Sequence, residues 1–329
     1  MRLDCHNHAV PHEAIDLLNA ESAYGVEIRD GRWLGGNHVE FDLPPSFHDP
    51  AAKLAQLAGA GLDGAVVSAA PPLFYYELER GPAEAMCEAV NAGLERMAGH
   101  DPGRLRWLAH VPMQAPRRAA EMLEVAAGRA GCAGVEIGTS IDGRRLDEPE
   151  FEPFWATVER LGLGVLVHPD LAYETYRPLG DYYLGNVIGF PLETTIAAER
   201  LICAGVLDRH PGLRILLVHA GGYFPYQAGR LRHAATVRPE LAGAPPDPWA
   251  YVGRLWFDVI AHDRRALRYL LDRVGADHVV MGTDLPFDMA LADPVARVVE
   301  AADEATAERV AVDNPARLFA AAATRAPAA

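Results

Sequence analysis

Residues 164–168 read Gly-Val-Leu-Val-His, a short apolar run that ends in a side chain able to bind a metal. The run is short and rich in β-branched residues, which favours a buried strand of a parallel sheet. Seven other short β-type runs occur along the chain. The eight predicted strands cover residues 2–5, 64–69, 105–111, 134–138, 164–168, 214–219, 255–260 and 278–282.

Longer Ala- and Leu-rich stretches, such as residues 82–98 and 115–130, separate these runs and are typical of helices. Strict alternation of strands and helices predicts a parallel sheet, and eight strands predict a closed (β/α)8 TIM barrel. An open doubly wound sheet is the alternative, but no Gly-x-Gly-x-x-Gly follows a predicted strand. We expect one domain over residues 1–319, with an insert at 21–49 after strand 1 and a frayed tail at 320–329.

The composition excludes several classes of protein. Among 329 residues, 30 are Lys or Arg and 45 are Asp or Glu, which gives a formal net charge of −15. Such a chain is a poor candidate for binding nucleic acid or an anionic membrane. Residues 1–6 lack the apolar core of a signal peptide, so none is expected, and no apolar run approaches the ~18 residues that span a bilayer. The scattered Cys5, Cys87, Cys132 and Cys203 predict neither a disulfide framework nor a zinc ribbon, so we expect a cytoplasmic protein.

Side chains that can bind a metal ion lie at the ends of four predicted strands. His6 and His8 follow strand 1 two residues apart, and side chains two apart on a strand point the same way. His168 ends strand 5, His219 ends strand 6, and Asp284 follows strand 8. Each residue alone is more often structural, but together they form a set suited to Zn²⁺ or a similar divalent ion. The carboxyl ends of barrel strands are where active sites lie, so the set predicts a metal centre there.

The motifs around these residues resemble those of the amidohydrolase superfamily. The pattern runs from His-x-His through Val-His-Pro and Val-His-Ala-Gly-Gly to Gly-Thr-Asp-x-Pro-Phe. It is most similar to the decarboxylase branch typified by 2-amino-3-carboxymuconate 6-semialdehyde decarboxylase, with the strongest match at residues 189–197. The resemblance covers residues 3 to about 319 and is loose between 20 and 60.

This resemblance implies roles for single residues. It makes His6, His8, His168 and Asp284 the ligands of one divalent ion per chain, with Zn²⁺ expected and Mn²⁺ as the alternative. His219 would lie beside the metal and transfer protons, with Asp284 as a second candidate for that step. Arg230 matches an arginine that binds a substrate carboxylate from the neighbouring subunit, which implies a homodimer.

One departure from the family concerns the substrate. The muconate decarboxylases have a second arginine after strand 1 that binds another carboxylate, whereas this chain has Gly35-Gly36-Asn37-His38 there. Arg32, His38, His48 and Lys53 are possible substitutes, and the sequence does not choose among them. We therefore expect aminocarboxymuconate semialdehyde not to be the preferred substrate.

Further residues have a functional and a structural interpretation. Glu136 on strand 4 is a candidate ligand for a second metal, and His262 after strand 7 for supporting contacts. Phe287 and Tyr75 are candidates for substrate binding, with packing as the alternative; His110 is interpreted as structural. The other aromatic residues that could line a pocket or a dimer contact are Phe74, Tyr76, Tyr173, Tyr176, Tyr182 and Tyr183.

The sequence thus predicts a metal-dependent, non-oxidative decarboxylase of a small unsaturated or aromatic carboxylic acid. A metal ion lowers the pKa of a water ligand toward about 7, and this serves hydrolysis equally well. A hydrolase or hydratase of a small amide, lactone or enol acid is therefore the alternative enzyme. A catalytically silent barrel used for binding is the alternative of a different class.

Overall fold

The computed structural model describes residues 1–35, 40–170 and 179–319. Eight strands form one parallel sheet in the order β1-β5-β6-β7-β10-β11-β12-β13. These strands are β1 (Leu3–Ala9), β5 (Gly64–Ala69), β6 (Leu105–His110), β7 (Cys132–Gly138), β10 (Gly164–His168), β11 (Arg214–Leu217), β12 (Leu255–Asp258) and β13 (Val279–Val280). The intervening numbers belong to two small antiparallel sheets, β2 (Val26–Arg29), β3 (Arg32–Gly35) and β4 (Phe41–Asp42), and β8 (Ser140–Ile141) with β9 (Arg144–Arg145).

The sheet closes on itself between its first strand and the chain that follows the last strand. Cys5 donates its backbone N–H to Met281 O at 2.8 Å, and His8 donates to Leu285 O at 2.9 Å. Residues 283 and 284 donate back to His6 O. This closure leaves no free edge between the two strands and confirms the predicted (β/α)8 barrel.

Helices follow the strands and pack around the outside of the barrel. Aspartate side chains cap the N-termini of some of these helices. Asp263, for example, accepts hydrogen bonds from the backbone N–H groups of Arg265 and Ala266 at 2.9 Å. The longer helices are His12–Ala20, Pro50–Gly59, Arg80–His100, Pro116–Ala127, Glu152–Leu161, Phe190–Cys203, Phe224–Val237, Arg264–Val274 and Pro294–Ala301, and the shorter ones are Val206–Arg209, Glu304–Glu308 and Asn314–Leu318.

The barrel interior is built in layers. One buried cluster takes a residue from each of the eight strands and is closed by Leu318 and Phe319; its strand members are Cys5, Val66, Leu108, Ala133, Leu166, Leu216, Trp256 and Val280. Two positions further along four of these strands, the inward side chains are polar: Ser68, His110, His168 and Asp258. Because alternate residues of a strand share a face, the apolar layer lies beneath a polar layer at the carboxyl end.

The strand limits differ from the prediction in ways that matter for the site. Strand β1 extends to Ala9, so His6 and His8 lie within it and not beyond it. Strand β11 ends at Leu217, and His219 stands two residues after it in a tight turn. Polar residues interrupt the apolar sequence pattern from which a strand is predicted. Backbone hydrogen bonds to neighbouring strands can still extend the strand through such residues.

The insert after β1 packs onto the barrel mouth through aromatic rings. Trp33 of β3 stacks on Phe41 of β4 with ring centroids 5.5 Å apart, and Phe41 lies 5.5 Å from Phe287. The predictions for His38, Tyr173, Tyr176 and the tail 320–329 concern positions outside the described residues. The division into one domain over residues 1–319 stays a prediction.

Candidate metal centre

Five side chains from four parts of the barrel meet at its carboxyl end. His6 and His8 come from β1, His168 ends β10, and His219 and Asp284 follow β11 and β13. Nε2 of His6 lies 3.0 Å from Nε2 of His8, and Asp284 Oδ1 lies 3.1 Å from His8 Nε2 and 3.6 Å from His6 Nε2. Ligand atoms of His6, His168, His219 and Asp284 all lie within 4.8 Å of one another. The structure brings together every residue that the sequence proposed for the metal.

Three of the imidazoles are held in the tautomer that a metal ligand needs. Nδ1 of His6 lies 2.8 Å from Asp258 Oδ2, Nδ1 of His8 lies 2.9 Å from Ala69 O, and Nδ1 of His168 lies 2.7 Å from Pro169 O. A carbonyl or carboxylate oxygen only accepts, so each Nδ1 carries the proton and donates it. In the neutral rings, the lone pair is then on Nε2 and directed into the shared space. Outer hydrogen bonds of this kind orient histidines for metal binding.

Unpaired polar atoms mark the same space. His168 Nε2 and Asp284 Oδ1 are buried and have no hydrogen-bond partner among the described residues. A buried polar atom without a partner costs free energy unless something satisfies it. An imidazole nitrogen and a carboxylate oxygen that converge in this way fit the donor set of a Zn²⁺ or Mn²⁺ ion.

His219 differs from the other three histidines. Its Nε2 lies 3.6 Å from Asp284 Oδ2, whereas its Nδ1 is buried without a hydrogen-bond partner. The side chain is 15% exposed, while those of His6 and His8 are fully buried. Among the described residues no hydrogen bond to Nδ1 fixes the tautomer of His219, in contrast to the other three rings.

The backbone that presents His219 is strained. His219 and Ala220 have φ values of 54° and 56°, and Gly221 and Gly222 also have positive φ. The left-handed conformation costs about 1–2 kcal/mol for each residue that is not glycine. A Cβ on Gly222 would stand 2.1 Å from Pro191 O, so glycine is needed where the turn packs against the helix Phe190–Cys203. Such strain persists when surrounding contacts determine the conformation, and functional sites concentrate it.

The pKa values of these groups follow from burial and from one another. Burial lowers the pKa of His8, and burial with the nearby imidazoles lowers that of His168 well below its usual range. Burial opposes the charged form of His6 as well, but the Asp258 hydrogen bond and the Asp284 charge outweigh it and raise its pKa to about 9. Burial opposes the charge of Asp284, yet the neighbouring His219, His8 and His6 rings hold its pKa well below its usual range. The site thus stabilises an anionic Asp284 beside the rings.

Glu136, the candidate for a second metal, is fully buried on β7 beside this set. Its Oε1 lies 3.9 Å from His8 Nδ1, which is beyond hydrogen-bond distance. Burial raises the pKa of its carboxyl well above 4.5. Its side chain therefore lies near the five residues, but the His8 nitrogen that it faces already donates to Ala69 O.

The sequence interpretation missed Asp258, the last residue of β12. Its carboxylate accepts from His6 and from the backbone at the start of the His219 turn. The signal was present, because Leu-Trp-Phe-Asp is an apolar run that ends in a polar side chain, like the other four strands. His262, proposed for supporting contacts, is instead exposed on the loop after β12.

The proposed substrate contacts occupy different positions. The ring of Phe287 lies 5.4 Å from that of His8, beside the candidate metal ligands. Tyr75 is 3% exposed with its hydroxyl unpaired among the described residues, and its ring packs 5.2 Å from Tyr24. Arg230 is exposed on the helix Phe224–Val237.

The described candidates for the missing arginine do not offer a free cation at the mouth. Arg32 lies 3.2 Å from Asp42 on the outer surface of the insert. Lys53 is fully buried and donates to His8 O at 2.6 Å. His48 is half-buried, and its ring packs 4.7 Å from that of His12.

Comparison with known proteins shows to which family this chain belongs. The amidohydrolase family model matches residues 3–321. The 2-amino-3-carboxymuconate-6-semialdehyde decarboxylase of Dictyostelium discoideum is 28% identical over 305 residues, which cover 88% of this chain and 82% of the relative. The gamma-resorcylate decarboxylase of Rhodococcus jostii is 30% identical over 266 residues, which cover 73% and 78%.

Solved structures have the same fold. The apo form of the Metarhizium anisopliae IDCase superposes with a TM-score of 0.85 at 24% identity and covers 97% of both chains. A dihydroxybenzoic acid decarboxylase from Polaromonas, crystallised with manganese and the inhibitor 2-nitroresorcinol, gives a TM-score of 0.78 at 22% identity, covering 97% of this chain and 96% of that one. With the barrel, the converging histidines and the matched family model, the chain belongs to the amidohydrolase family.

Proposed function

We propose that the protein is a metal-dependent, non-oxidative decarboxylase of a small unsaturated or aromatic carboxylic acid. The observation that carries this proposal is the set of three imidazoles with Nδ1 fixed and Nε2 directed at one space beside Asp284. Decarboxylation is the reaction named for the curated relatives, which supports the choice of reaction class.

His6, His8, His168 and Asp284 are the residues that would hold one divalent ion. We favour them over a set containing His219 because His219 lacks the fixed Nδ1–H of the other three. Zn²⁺ suits three nitrogens and one oxygen, and Mn²⁺ is the alternative, as in the Polaromonas structure. A bound divalent ion supplies positive charge that stabilises the electron pair left behind when CO₂ departs.

His219 is the proposed proton donor. When the carboxyl carbon leaves as CO₂, the carbon that carried it keeps the electron pair and needs a proton. His219 is partly exposed, its Nδ1 is not committed, and Asp284 lies 3.6 Å from its Nε2. The imidazole therefore has a nitrogen available to donate a proton to that carbon. Asp284 itself is the second candidate for this step.

The wall beside the ligands suggests the shape of the substrate. Phe287 contacts His8, and Phe41 and Phe47 of the insert lie 5.5 and 5.1 Å from Phe287. An aromatic wall favours a flat, uncharged face over a second carboxylate. We therefore propose a monocarboxylic acid with an aromatic ring or conjugated chain, and not the aminocarboxymuconate semialdehyde.

We further propose a homodimer in which Arg230 binds the substrate carboxylate of the neighbouring site. Tyr226 and Arg230 are four residues apart on one helix and both are exposed, so they share a face. Further exposed apolar side chains among the described residues are Val187, Ile188 and Val237. Exposed apolar side chains of this kind can be buried in a protein interface.

The cytoplasmic location predicted from the sequence belongs to this proposal as well. The four cysteines are free thiols, of which three are buried. A reducing compartment keeps thiols in that state. No helix among the described residues combines the length and the apolar character that a membrane span requires.

A CO₂-release assay tests the function. The protein is stripped with a chelator, reloaded with Zn²⁺ or Mn²⁺, and supplied with a panel of monocarboxylated aromatic and dienoic acids, with the semialdehyde, and with small amides and lactones. We expect CO₂ from a panel acid with the metal and none without it. Hydrolysis without CO₂ would make the protein a hydrolase, and metal binding without turnover of any compound would favour the silent barrel. A kcat/KM for the semialdehyde well above every panel member would refute the proposed substrate class.

A further inference from the structure

Asp258 has no part in the metal binding or proton transfer proposed above, yet it contacts residues of both. It is the last residue of β12 and is fully buried at the carboxyl end of the barrel. Its Oδ2 accepts from His6 Nδ1 at 2.8 Å and from His219 N at 2.9 Å. Its Oδ1 accepts from Ala220 N at 2.7 Å and from Ile260 N at 3.0 Å. A single carboxylate therefore connects a metal-ligand candidate with the turn that carries the proposed proton donor.

The surroundings allow this close approach. A Cβ on Gly282 would stand 2.8 Å from Asp258 Cβ and 3.0 Å from His6 Cβ, so only glycine fits between the two strands there. All four of its contacts are donors, which only an ionised carboxylate can accept at once.

We propose that Asp258 is a positioning residue that couples the metal ligand to the proton donor. Through Oδ2 it fixes the proton of His6 on Nδ1, which leaves Nε2 for the metal. Through both oxygens it holds the N–H groups of His219 and Ala220, the two non-glycine residues of the left-handed turn. Loss of the carboxylate would thus weaken metal binding and displace His219 together. This inference rests on the proposed metal site and deepens it.

The substitution Asp258→Asn tests this coupling because it keeps the shape of the side chain and replaces one acceptor by a donor. With its amide nitrogen in place of Oδ2, the side chain faces the N–H of His219 and the Nδ1–H of His6. His6 could then keep a hydrogen bond only by moving its proton to Nε2, where it blocks the metal. With the amide flipped, the nitrogen faces the N–H groups of Ala220 and Ile260, and the turn loses its support. Both orientations break the coupling.

The test measures metal affinity, kinetics and stability of Asp258→Asn in the full chain. We expect Zn²⁺ to bind about 10–100-fold more weakly, the usual effect of losing such an outer partner. At saturating metal, kcat should fall by a similar factor while KM changes little, because the proton donor moves and the substrate wall does not. Unchanged metal affinity together with an unchanged kcat in folded Asp258→Asn would overturn the proposal, because each amide orientation removes one of the two contacts.

A stability control separates positioning from general damage. Asn314 is buried at the other end of the barrel, where its amide donates to Ala276 O and Val279 O at 2.7 and 2.6 Å. Asn314→Ala should lower the melting temperature yet keep wild-type metal affinity. If Asn314→Ala lost metal as Asp258→Asn does, the effect of Asp258 would be structural and the proposal wrong. Wild-type protein that binds no divalent metal would instead refute the proposed function itself.

A spectroscopic measurement keeps the inference testable if Asp258→Asn and a substitute, Asp258→Ser, fail to fold. Wild-type protein labelled with ¹⁵N-histidine and loaded with Zn²⁺ should show His6 protonated at Nδ1, with a slowly exchanging, downfield proton. A His6→Gln variant assigns the signal. A His6 ring that carries its proton on Nε2, or an Nδ1 proton that exchanges as fast as an exposed one, would contradict the coupling through Asp258.

Discussion

At the scale of single residues, hydrogen bonding to Nδ1 distinguishes two kinds of histidine in one cluster. His6, His8 and His168 each donate Nδ1–H to a fixed acceptor, whereas Nδ1 of His219 has no partner among the described residues. Rings of the first kind are prepared to bind a metal through Nε2. A ring of the second kind can change its protonation state without breaking such a bond, as proton transfer requires.

This difference predicts opposite outcomes for two matched substitutions. His219→Ala should keep most of the bound metal and lower turnover by about 10²–10⁴-fold, the usual contribution of a positioned acid or base. His168→Ala should lose metal and turnover together. Elemental analysis and steady-state kinetics on the same preparations check both. Full activity in His219→Ala would assign the proton transfer to another group, with Asp284 the first to examine.

At the scale of elements, the polar layer at the carboxyl ends of the strands has members outside the metal centre. His110 ends β6; its Nε2 donates to Leu73 O at 3.1 Å, and its ring stacks on Phe74. Asn91 contacts both backbone groups of His110 at 2.8 Å. These contacts agree with the structural role that the sequence analysis gave to His110.

The burial of His110 predicts a loss of stability in acid. Burial lowers its pKa from 6.5 to about 4 in the folded chain. Between these values the unfolded chain binds more protons, so the free energy of unfolding falls as the pH drops below 6.5. At pH 5 the loss from this residue is about 2 kcal/mol, and none is expected at pH 7 and above.

Denaturant unfolding at pH 7 and pH 5 checks this for the wild type and for His110→Gln, which cannot titrate. The drop in unfolding free energy between the two pH values should be smaller in the variant. Equal drops in both proteins would show that His110 keeps its ordinary pKa in the folded state.

Several elements could be predicted from the sequence, and others could not, for physical reasons. Strands β5 and β10 coincide with their predicted bounds because continuous apolar runs end at clear breaks. Strand β1 was predicted too short, since Asp4, His6, Asn7 and His8 look like a polar loop until the barrel buries them. The left-handed turn at His219 was not predictable, because its stabilisation comes from Asp258 on another strand.

At the scale of the whole molecule, the family and the barrel predicted from the sequence are confirmed. A barrel collects the ends of distant strands at one mouth, so residues as far apart as His6 and Asp284 were predicted to meet from topology alone. The supporting contacts were not predicted, because an acceptor such as Ala69 O or Pro169 O has no signature in the sequence. The aromatic wall of Phe41, Phe47 and Phe287 was not predicted either, because it depends on how the insert folds back onto Phe287.

The proposed dimer gives a prediction that needs two chains. Arg230→Ala and His168→Ala should each be nearly inactive. When the two are mixed and exchange subunits, each heterodimer should regain one complete site, with the metal ligands of one chain and Arg230 of the other. Activity should therefore rise after mixing. No recovery after verified subunit exchange would indicate that Arg230 acts within its own chain or not on the substrate.

The central claim is that the converging rings hold a metal, and elemental analysis of the purified protein tests it most directly. The wild type should contain about one divalent ion per chain, with Zn²⁺ expected. Changing His6 and His8 together to Ala should remove it, whereas changing His12 and His48, another pair of packed histidines, should not. A His6→Ala, His8→Ala protein that kept its full metal content would contradict the account.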